Sequence, residues 1–295
     1  MLSIGGGSIL DVGKATAALI TNGGKVKDYL EYVGTGAKVV NEPVPFIAVP
    51  TTSGTGSEVT NNAVIGSKKE KFKRSMRDSK MMANLVIIDP TLTISLPKKI
   101  TASSGIDAMT HSMEAYATVR NANPLAKAIA FQGVKLAGKY LKRAYDNGED
   151  LEAREGMALA SLCGGMSFSN SGLGAAHGLG MVLNIYCPIS HGEAVGIMLP
   201  YVMEINSEKY PGLYDEVGEA FSGKRFTKEG EGTKYAIEFI KELNKHIGIP
   251  SDLKHLNITE DMAKTMGEKC FGTSMSGNPV QLEAAQWTEL INKLR

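Results

Sequence analysis

The sequence predicts an α/β region that contains a partial parallel sheet, residues 1–96, followed by an all-α region, residues 97–295. Short apolar runs bounded by turn residues occur before Leu96-Pro97, and such runs are typical of buried parallel strands. After that point, apolar residues recur at helical spacing along nearly the whole chain. Two loops rich in glycine and hydroxyl side chains follow predicted strands of the first region, which places this region among the ligand-binding parallel sheets.

Elements of the first region can be read in order along the chain. A strand fragment at Leu2–Ile4 meets a glycine turn, and a helix is expected over Ser8–Ile20. Three more strands are expected, at Phe46–Val49, Ala63–Ile65 and Asn84–Ile88. The basic segment Lys68–Arg77 lies between the last two and is interpreted as a solvated hairpin.

The second region carries eight segments with helical spacing, and glycine or proline separates them. These segments are residues 98–120, 124–145, 150–169, 174–184, 191–206, 231–247, 259–267 and 279–294.

Composition excludes several functional classes. The chain has 295 residues, 32 basic and 31 acidic side chains, and a net charge of +1, so no nucleic-acid or membrane-surface partner is expected. Three widely spaced cysteines argue against a disulfide framework. No signal peptide and no bilayer-spanning run are seen. We therefore expect a soluble, cytoplasmic protein.

The two loops favour a nucleotide site. Gly5-Gly6-Gly7-Ser8 follows a strand and opens a helix, where backbone N–H groups can hold a phosphate. Ser8 is expected to cap this helix or to donate its hydroxyl to the phosphate. A second loop, running from Thr51 to Thr60, also follows a strand. The alternative is two unrelated turns, of which the second is stabilised by its own side-chain hydrogen bonds.

A set of histidines indicates a metal site. Asp107 and His111 are four residues apart and share one helix face. His177 and His191 lie fourteen residues apart, and a helix with a return loop could bring both to the same ion. Such donors suit Fe(II), Zn, Mn, Co or Ni and do not suit Ca²⁺ or Mg²⁺. Unrelated core or capping histidines are the alternative. His246 and His255 lack an acidic partner at chelating spacing and are expected to be surface or structural residues.

Several motifs in order resemble those of the iron-containing (group III) alcohol dehydrogenases. They are GGGSxxDxxK from Gly5, PTTxGTGSE from Pro50, GIDA from Gly105 through HSMEAY from His111, and SHGEA from Ser190. The resemblance covers essentially the whole chain. It implies a dinucleotide-binding domain over residues 1–96 and a helical, metal-binding catalytic domain over residues 97–295.

The resemblance also implies site residues and a reaction. The metal, Fe(II) or Zn, would be bound by Asp107, His111, His177 and His191. NAD or NADP would be bound by Gly6, Gly7, Ser8, Ile9, Leu10, Asp11, Thr51, Thr52, Thr60 and Lys71. The implied reaction interconverts a small primary alcohol and its aldehyde. The cleft walls are expected to include Tyr116, Met166, Phe168 and Cys270, and the resemblance implies a homodimer.

Two departures from the family pattern leave alternatives open. Many members carry a histidine where this chain has Met181, so another group must serve in the proton relay. Members also have β/α units before the glycine turn, which carry the adenosine pocket and select NAD or NADP; here these units are absent, and an exposed strand edge is expected. The alternatives are a truncated, catalytically silent metal-binding fragment and a zinc-type polyol dehydrogenase.

Overall fold

The computed structural model describes residues 1–295 and confirms an α/β part followed by a helical part. Five strands form, and all of them precede residue 90. They are β1 (Leu2–Gly5), β2 (Ile47–Pro50), β3 (Asn62–Ser67), β4 (Phe72–Arg77) and β5 (Leu85–Val86). The one α-helix among them is α1 (Gly7–Asn22). The predicted strand over Asn84–Ile88 is shorter than expected, because only two of its residues pair with β2.

The strands form two small sheets. β1, β2 and β5 form a parallel sheet in the order β1-β2-β5, and β3 and β4 form an antiparallel hairpin. Because β1 and β2 are parallel, with Gly5 opposite Pro50, the loops that follow them emerge at the same edge of the sheet. β1 is an edge strand, and the side chains of Leu2 and Ile4 are each 56% exposed.

Nine helices form the rest of the chain. They are α2 (Lys98–Ala117), α3 (Pro124–Asp146), α4 (Leu151–Asn170), α5 (Ala175–Tyr186), α6 (His191–Lys209), α7 (Asp215–Ser222), α8 (Glu231–His246), α9 (Glu260–Lys269) and α10 (Ala284–Leu294). Eight correspond to the predicted segments. The eight-residue helix α7 was missed, because so short a segment carries little periodicity.

The main core lies within the helical part. One cluster of 48 buried residues runs from Ala102 to Leu294, whereas the sheet part holds clusters of only 7 and 4 residues. Helix α2 passes through the centre of this core, and every residue from Gly105 to Ala117 is buried. Polar side chains on that stretch are therefore shielded from water. No helix combines the length and the apolar character needed to cross a bilayer.

Candidate metal and dinucleotide site

Three of the four predicted metal ligands converge on one point. Asp107 lies on α2, His177 in the first turn of α5, and His191 at the first position of α6. One donor atom from each lies within 4.8 Å of the other two. The Oδ1 atom of Asp107 is 3.4 Å from Nε2 of His177 and 3.9 Å from Nε2 of His191.

The fourth predicted ligand, His111, lies beside this group. Its ring stacks on that of His177 with the ring centres 4.3 Å apart, and its Nδ1 is 4.0 Å from Oδ1 of Asp107. The same Nδ1 is 3.1 Å from the carbonyl oxygen of Gly54. Because a carbonyl can only accept, Nδ1 carries the proton and Nε2 keeps the lone pair that a metal would need.

Buried polar atoms without partners indicate that the group fits a cation. Oδ1 of Asp107, Nε2 of His177 and Nδ1 of His191 are buried and have no hydrogen-bond partner. Such atoms are costly to bury unpaired. A divalent ion of the kind that imidazole and carboxylate prefer, Fe(II) or Zn, would satisfy the first two directly.

The electrostatics of the cluster also favour a bound cation. Burial opposes ionisation of Asp107, but the three surrounding imidazoles outweigh it and hold the pKa of this carboxyl well below its usual range. Burial lowers the pKa of His111 to about 4 and lowers that of His191 well below its ordinary value. Burial also acts against a charge on His177, yet the carboxylates of Glu114 and Asp107 raise its pKa to about 9.

Glu114 orients the His177 side chain. One of its carboxylate oxygens accepts from the backbone N–H groups of Ala176 and His177, at 2.7 and 3.2 Å. Its other oxygen accepts from Nδ1 of His177 at 2.6 Å. This carboxylate thus caps α5 and leaves Nε2 of His177 directed at Asp107. Sequence reasoning assigned Glu114 no role, although Asp107, His111 and Glu114, at i, i+4 and i+7, share one helix face.

We expect Gly192→Ala to weaken metal binding without unfolding the protein. A Cβ at this position would lie 1.9 Å from the backbone oxygen of Ser103 on α2, so α6 must shift and carry the adjacent His191 away from Asp107. Overpacking of this kind costs about 1–3 kcal/mol, and metal affinity should fall by about tenfold or more. Metal competition against a chelator measures it. The control is Gly272→Ala, whose added Cβ meets nothing closer than 3.9 Å; equal affinities in the two variants would contradict the prediction.

The two glycine-containing loops lie side by side at the sheet edge. A Cβ on Gly6 would lie 3.3 Å from the Thr52 side chain, and a Cβ on Gly7 would lie 2.6 Å from that of Thr55. The amide of Thr51 donates to the carbonyl of Gly5 at 3.0 Å. Because Gly6 and Gly7 have no Cβ, the side chains of Thr52 and Thr55 pack directly against the first loop, and N–H groups at the start of α1 can still meet a phosphate.

The side chains of the residues predicted to bind the cofactor in the first loop do not all face the same way. Helix α1 begins at Gly7 with Gly6 as its N-cap, so the expectation that Ser8 caps this helix is wrong; Ser8 and Ile9 are exposed. Leu10 is fully buried against Phe46 and Ala48, so only its backbone could meet a cofactor.

Asp11 and Thr60 are likewise engaged within the protein. The carboxylate of Asp11 accepts from Oγ of Ser57 at 2.6 Å and from the amide of Val64 at 3.1 Å. The hydroxyl of Thr60 accepts from Nζ of Lys14 at 2.9 Å. These two side chains therefore join α1 to the second loop instead of pointing into open space. Thr51 and Thr52 are half-buried, and the Thr52 side chain lies against the first loop at Gly6.

In the basic hairpin, Lys73 lies close enough to Asp107 and His191 to influence the pKa of His191 and to be influenced by the charge of Asp107. Lys71 is exposed in the turn between β3 and β4 with φ 54°, and its Nζ lies 5.8 Å from the ring centre of Tyr186. Lys73 is half-buried and donates to Oδ1 of Asn184 on α5 at 3.2 Å. Burial lowers the pKa of Lys73, whereas the charges of Asp107 and Asp11 act in the opposite direction. Lys71 lies in the turn, whereas Lys73 is the second residue of β4, and sequence alone does not give the register of the hairpin.

Only some of the residues expected to line the cleft lie at the metal site. Phe168 stacks on His111 with the ring centres 4.6 Å apart, and Met166 is 40% exposed. Tyr116 and Cys270, by contrast, belong to the buried helical core. The hydroxyl of Tyr116 donates to Glu216 on α7 at 2.7 Å. Phe168 is therefore the wall residue that directly contacts the metal cluster.

Comparisons with known proteins agree with this arrangement. The family model described as iron-containing alcohol dehydrogenase matches residues 1–90, and the C-terminal model of the Fe-containing alcohol dehydrogenase family matches residues 101–294. A choline dehydrogenase of Bacillus subtilis (strain 168) is 36% identical over 292 residues, covering 97% of this chain and 72% of that protein.

Two solved structures are similar over the same length. The structure of a 1,3-propanediol oxidoreductase superposes with a TM-score of 0.91 at 31% identity, covering 100% of this chain and 76% of that one. A sulfoacetaldehyde reductase from Bifidobacterium kashiwanohense, in complex with NAD+, gives a TM-score of 0.87 at 30% identity and covers 99% and 75%.

Proposed function

This chain belongs to the iron-containing alcohol dehydrogenase family, and from that premise we propose that it is a metal-dependent, NAD(P)-linked dehydrogenase that interconverts small primary alcohols and aldehydes. The observation that carries the proposal is the convergence of buried, unpartnered donors from Asp107, His177 and His191. A hydrogen bond joins this cluster, through His111, to one of the two loops at the sheet edge.

We assign the metal to Asp107, His111, His177 and His191. When bound, Fe(II) or Zn would supply a Lewis acid that polarises the alcohol or aldehyde oxygen. The protein's own contribution is orientation. Glu114 fixes the ring of His177, the Gly54 carbonyl fixes that of His111, and the ring of Phe168 covers one side of the cluster.

We assign the dinucleotide to the first region. The backbone of Gly6, Gly7 and Ser8 at the start of α1 would bind the pyrophosphate, with Thr51 and Thr52 toward the nicotinamide. Residues 1–96 then form the dinucleotide-binding part and residues 97–295 the metal-binding part. The near-neutral net charge supports a small-molecule substrate over nucleic acid. The three free cysteines support a reducing, cytoplasmic location.

The test is NAD(P)H formation from ethanol, 1-propanol and 1,3-propanediol by anaerobically purified protein reconstituted with Fe(II) or Zn(II). We expect turnover with at least one of these alcohols, and NADH binding detectable by fluorescence titration. A protein that binds metal but neither NADH nor NADPH would contradict the proposal and favour a catalytically silent metal-binding role.

Gly7→Ala should separate the two functions of the site. Because the added methyl group would lie 2.6 Å from Thr55, the two loops must move apart, and we expect NADH affinity to fall about tenfold or more. At saturating metal the variant should still hold one ion per chain, because Asp107, His111, His177 and His191 all lie on helices of the helical part. The matched control is Gly66→Ala, where the nearest atom is 3.6 Å away. If Gly7→Ala bound NADH as tightly as that control, the assignment of the pyrophosphate to the first loop would be wrong.

A further inference from the structure

The second loop, residues 51–60, touches the metal cluster on one side. Its Gly54 carbonyl accepts from Nδ1 of His111 at 3.1 Å. Gly54 packs so closely on α2 that a Cβ there would lie 2.7 Å from the backbone oxygen of Ser104. Any displacement of this segment therefore changes the position of the carbonyl that sets the orientation of His111.

On its other side the same loop is held by α1, the helix that opens at the glycine turn. Nζ of Lys14 donates to the carbonyls of Ser57 and Thr60, at 2.7 and 3.2 Å, and to the Thr60 hydroxyl at 2.9 Å. The side-chain hydroxyl of Ser57 donates to Asp11. Lys14 is only 1% exposed, so these contacts take the place of water around its ammonium group.

The buried ammonium group of Lys14 favours a single position of the second loop. Its nearest carboxylate, Oδ1 of Asp11, is 3.5 Å away, and its shorter contacts are all to atoms of the second loop. Moving the loop away would leave the charge buried without these acceptors, which is costly. Lys14 thus favours one loop position, and that position also places Gly54 against His111.

We propose that Lys14 is a positioning residue that couples dinucleotide binding to metal binding, by holding residues 51–60 where the loop serves both sites. The inference rests on the proposed function. Dinucleotide bound against Gly6, Gly7 and Thr52 stabilises the loop position that orients His111, and a metal held by His111 stabilises the same position. Because such coupling is reciprocal, each ligand must raise the affinity for the other by the same factor.

The experiment measures a thermodynamic cycle with the full chain. NADH dissociation constants are determined by fluorescence with and without saturating Zn²⁺, and Zn²⁺ dissociation constants by chelator competition with and without NADH. In the unmodified chain we expect each ligand to tighten the other at least about fivefold. In Lys14→Met, which keeps the length of the side chain, we expect this factor to fall to about one while both ligands still bind.

Two further variants keep the result interpretable. Lys38→Met, at an exposed lysine, is the control and should keep the full coupling. Ser57→Ala removes only the Ser57–Asp11 hydrogen bond, and it should reduce the coupling even if Lys14→Met fails to fold. Both ligands binding the unmodified chain independently would overturn the inference while leaving the proposed function intact. Failure of NADH to bind at all would overturn both.

Discussion

Replacing His177 with alanine is expected to leave the protein without stoichiometric metal and to lower kcat/KM for alcohol oxidation by about a thousandfold or more. His177 contributes the donor closest to Asp107, with Nε2 3.4 Å from Oδ1. A polarising metal is worth several kcal/mol in the transition state. Elemental analysis of anaerobically purified protein measures the first effect, and steady-state kinetics the second.

His255→Ala is the matched control, because His255 is exposed, as expected for a surface histidine, and lies outside the cluster. It should keep both metal and turnover. If the His177→Ala variant kept its full metal content, His177 would not be a metal ligand. Its convergence with Asp107 and His191 would then need another explanation.

Replacing Glu114 with glutamine is expected to have the second largest effect. Glutamine keeps one oxygen for the N–H groups of Ala176 and His177, but its amide nitrogen cannot accept from Nδ1 of His177. The ring of His177 then loses the contact that sets its tautomer and orientation. Loss of such a partner typically costs 10- to 100-fold in metal affinity or activity, and we expect a loss in that range in chelator competition.

The alanine variant extends this prediction to stability. Glu114→Ala leaves two backbone N–H groups and the buried His177 imidazole without an acceptor. Breaking a buried charged pair costs about 3–5 kcal/mol, so the free energy of unfolding of the metal-free protein should fall by roughly that amount in urea denaturation. Glu155→Gln, at an exposed position on α4, is the control for both measurements. A Glu114→Gln variant with unchanged metal affinity would show that Glu114 serves only as the cap of α5.

Features that depend on local spacing could be predicted from the sequence. Asp107 and His111 share a helix face because they are four residues apart, and the glycine turn between β1 and α1 follows from a strand, three glycines and a helical pattern. The eight longer helices of the second region were predicted for the same reason, since their periodicity extends over nine or more residues.

Features that depend on tertiary contacts between distant helices, strands and loops could not be predicted in the same way. The role of Glu114 requires the N-terminus of α5 to arrive beside α2, a contact between residues more than sixty positions apart. The inward orientation of Asp11 depends on the second loop lying against α1. Likewise, the contact between Lys73 and Asn184 on α5 depends on a hairpin register that composition does not specify.

The central claim is that one divalent ion, held by the cluster of Asp107, His111, His177 and His191, is required for alcohol oxidation by this chain. The most direct measurement is a titration of chelator-treated protein with Fe(II), performed anaerobically, with NADH formation from a primary alcohol as the readout. We expect negligible turnover without metal and a rate that reaches its plateau at about one equivalent per chain. Equal turnover in the chelator-treated and reconstituted protein would contradict it.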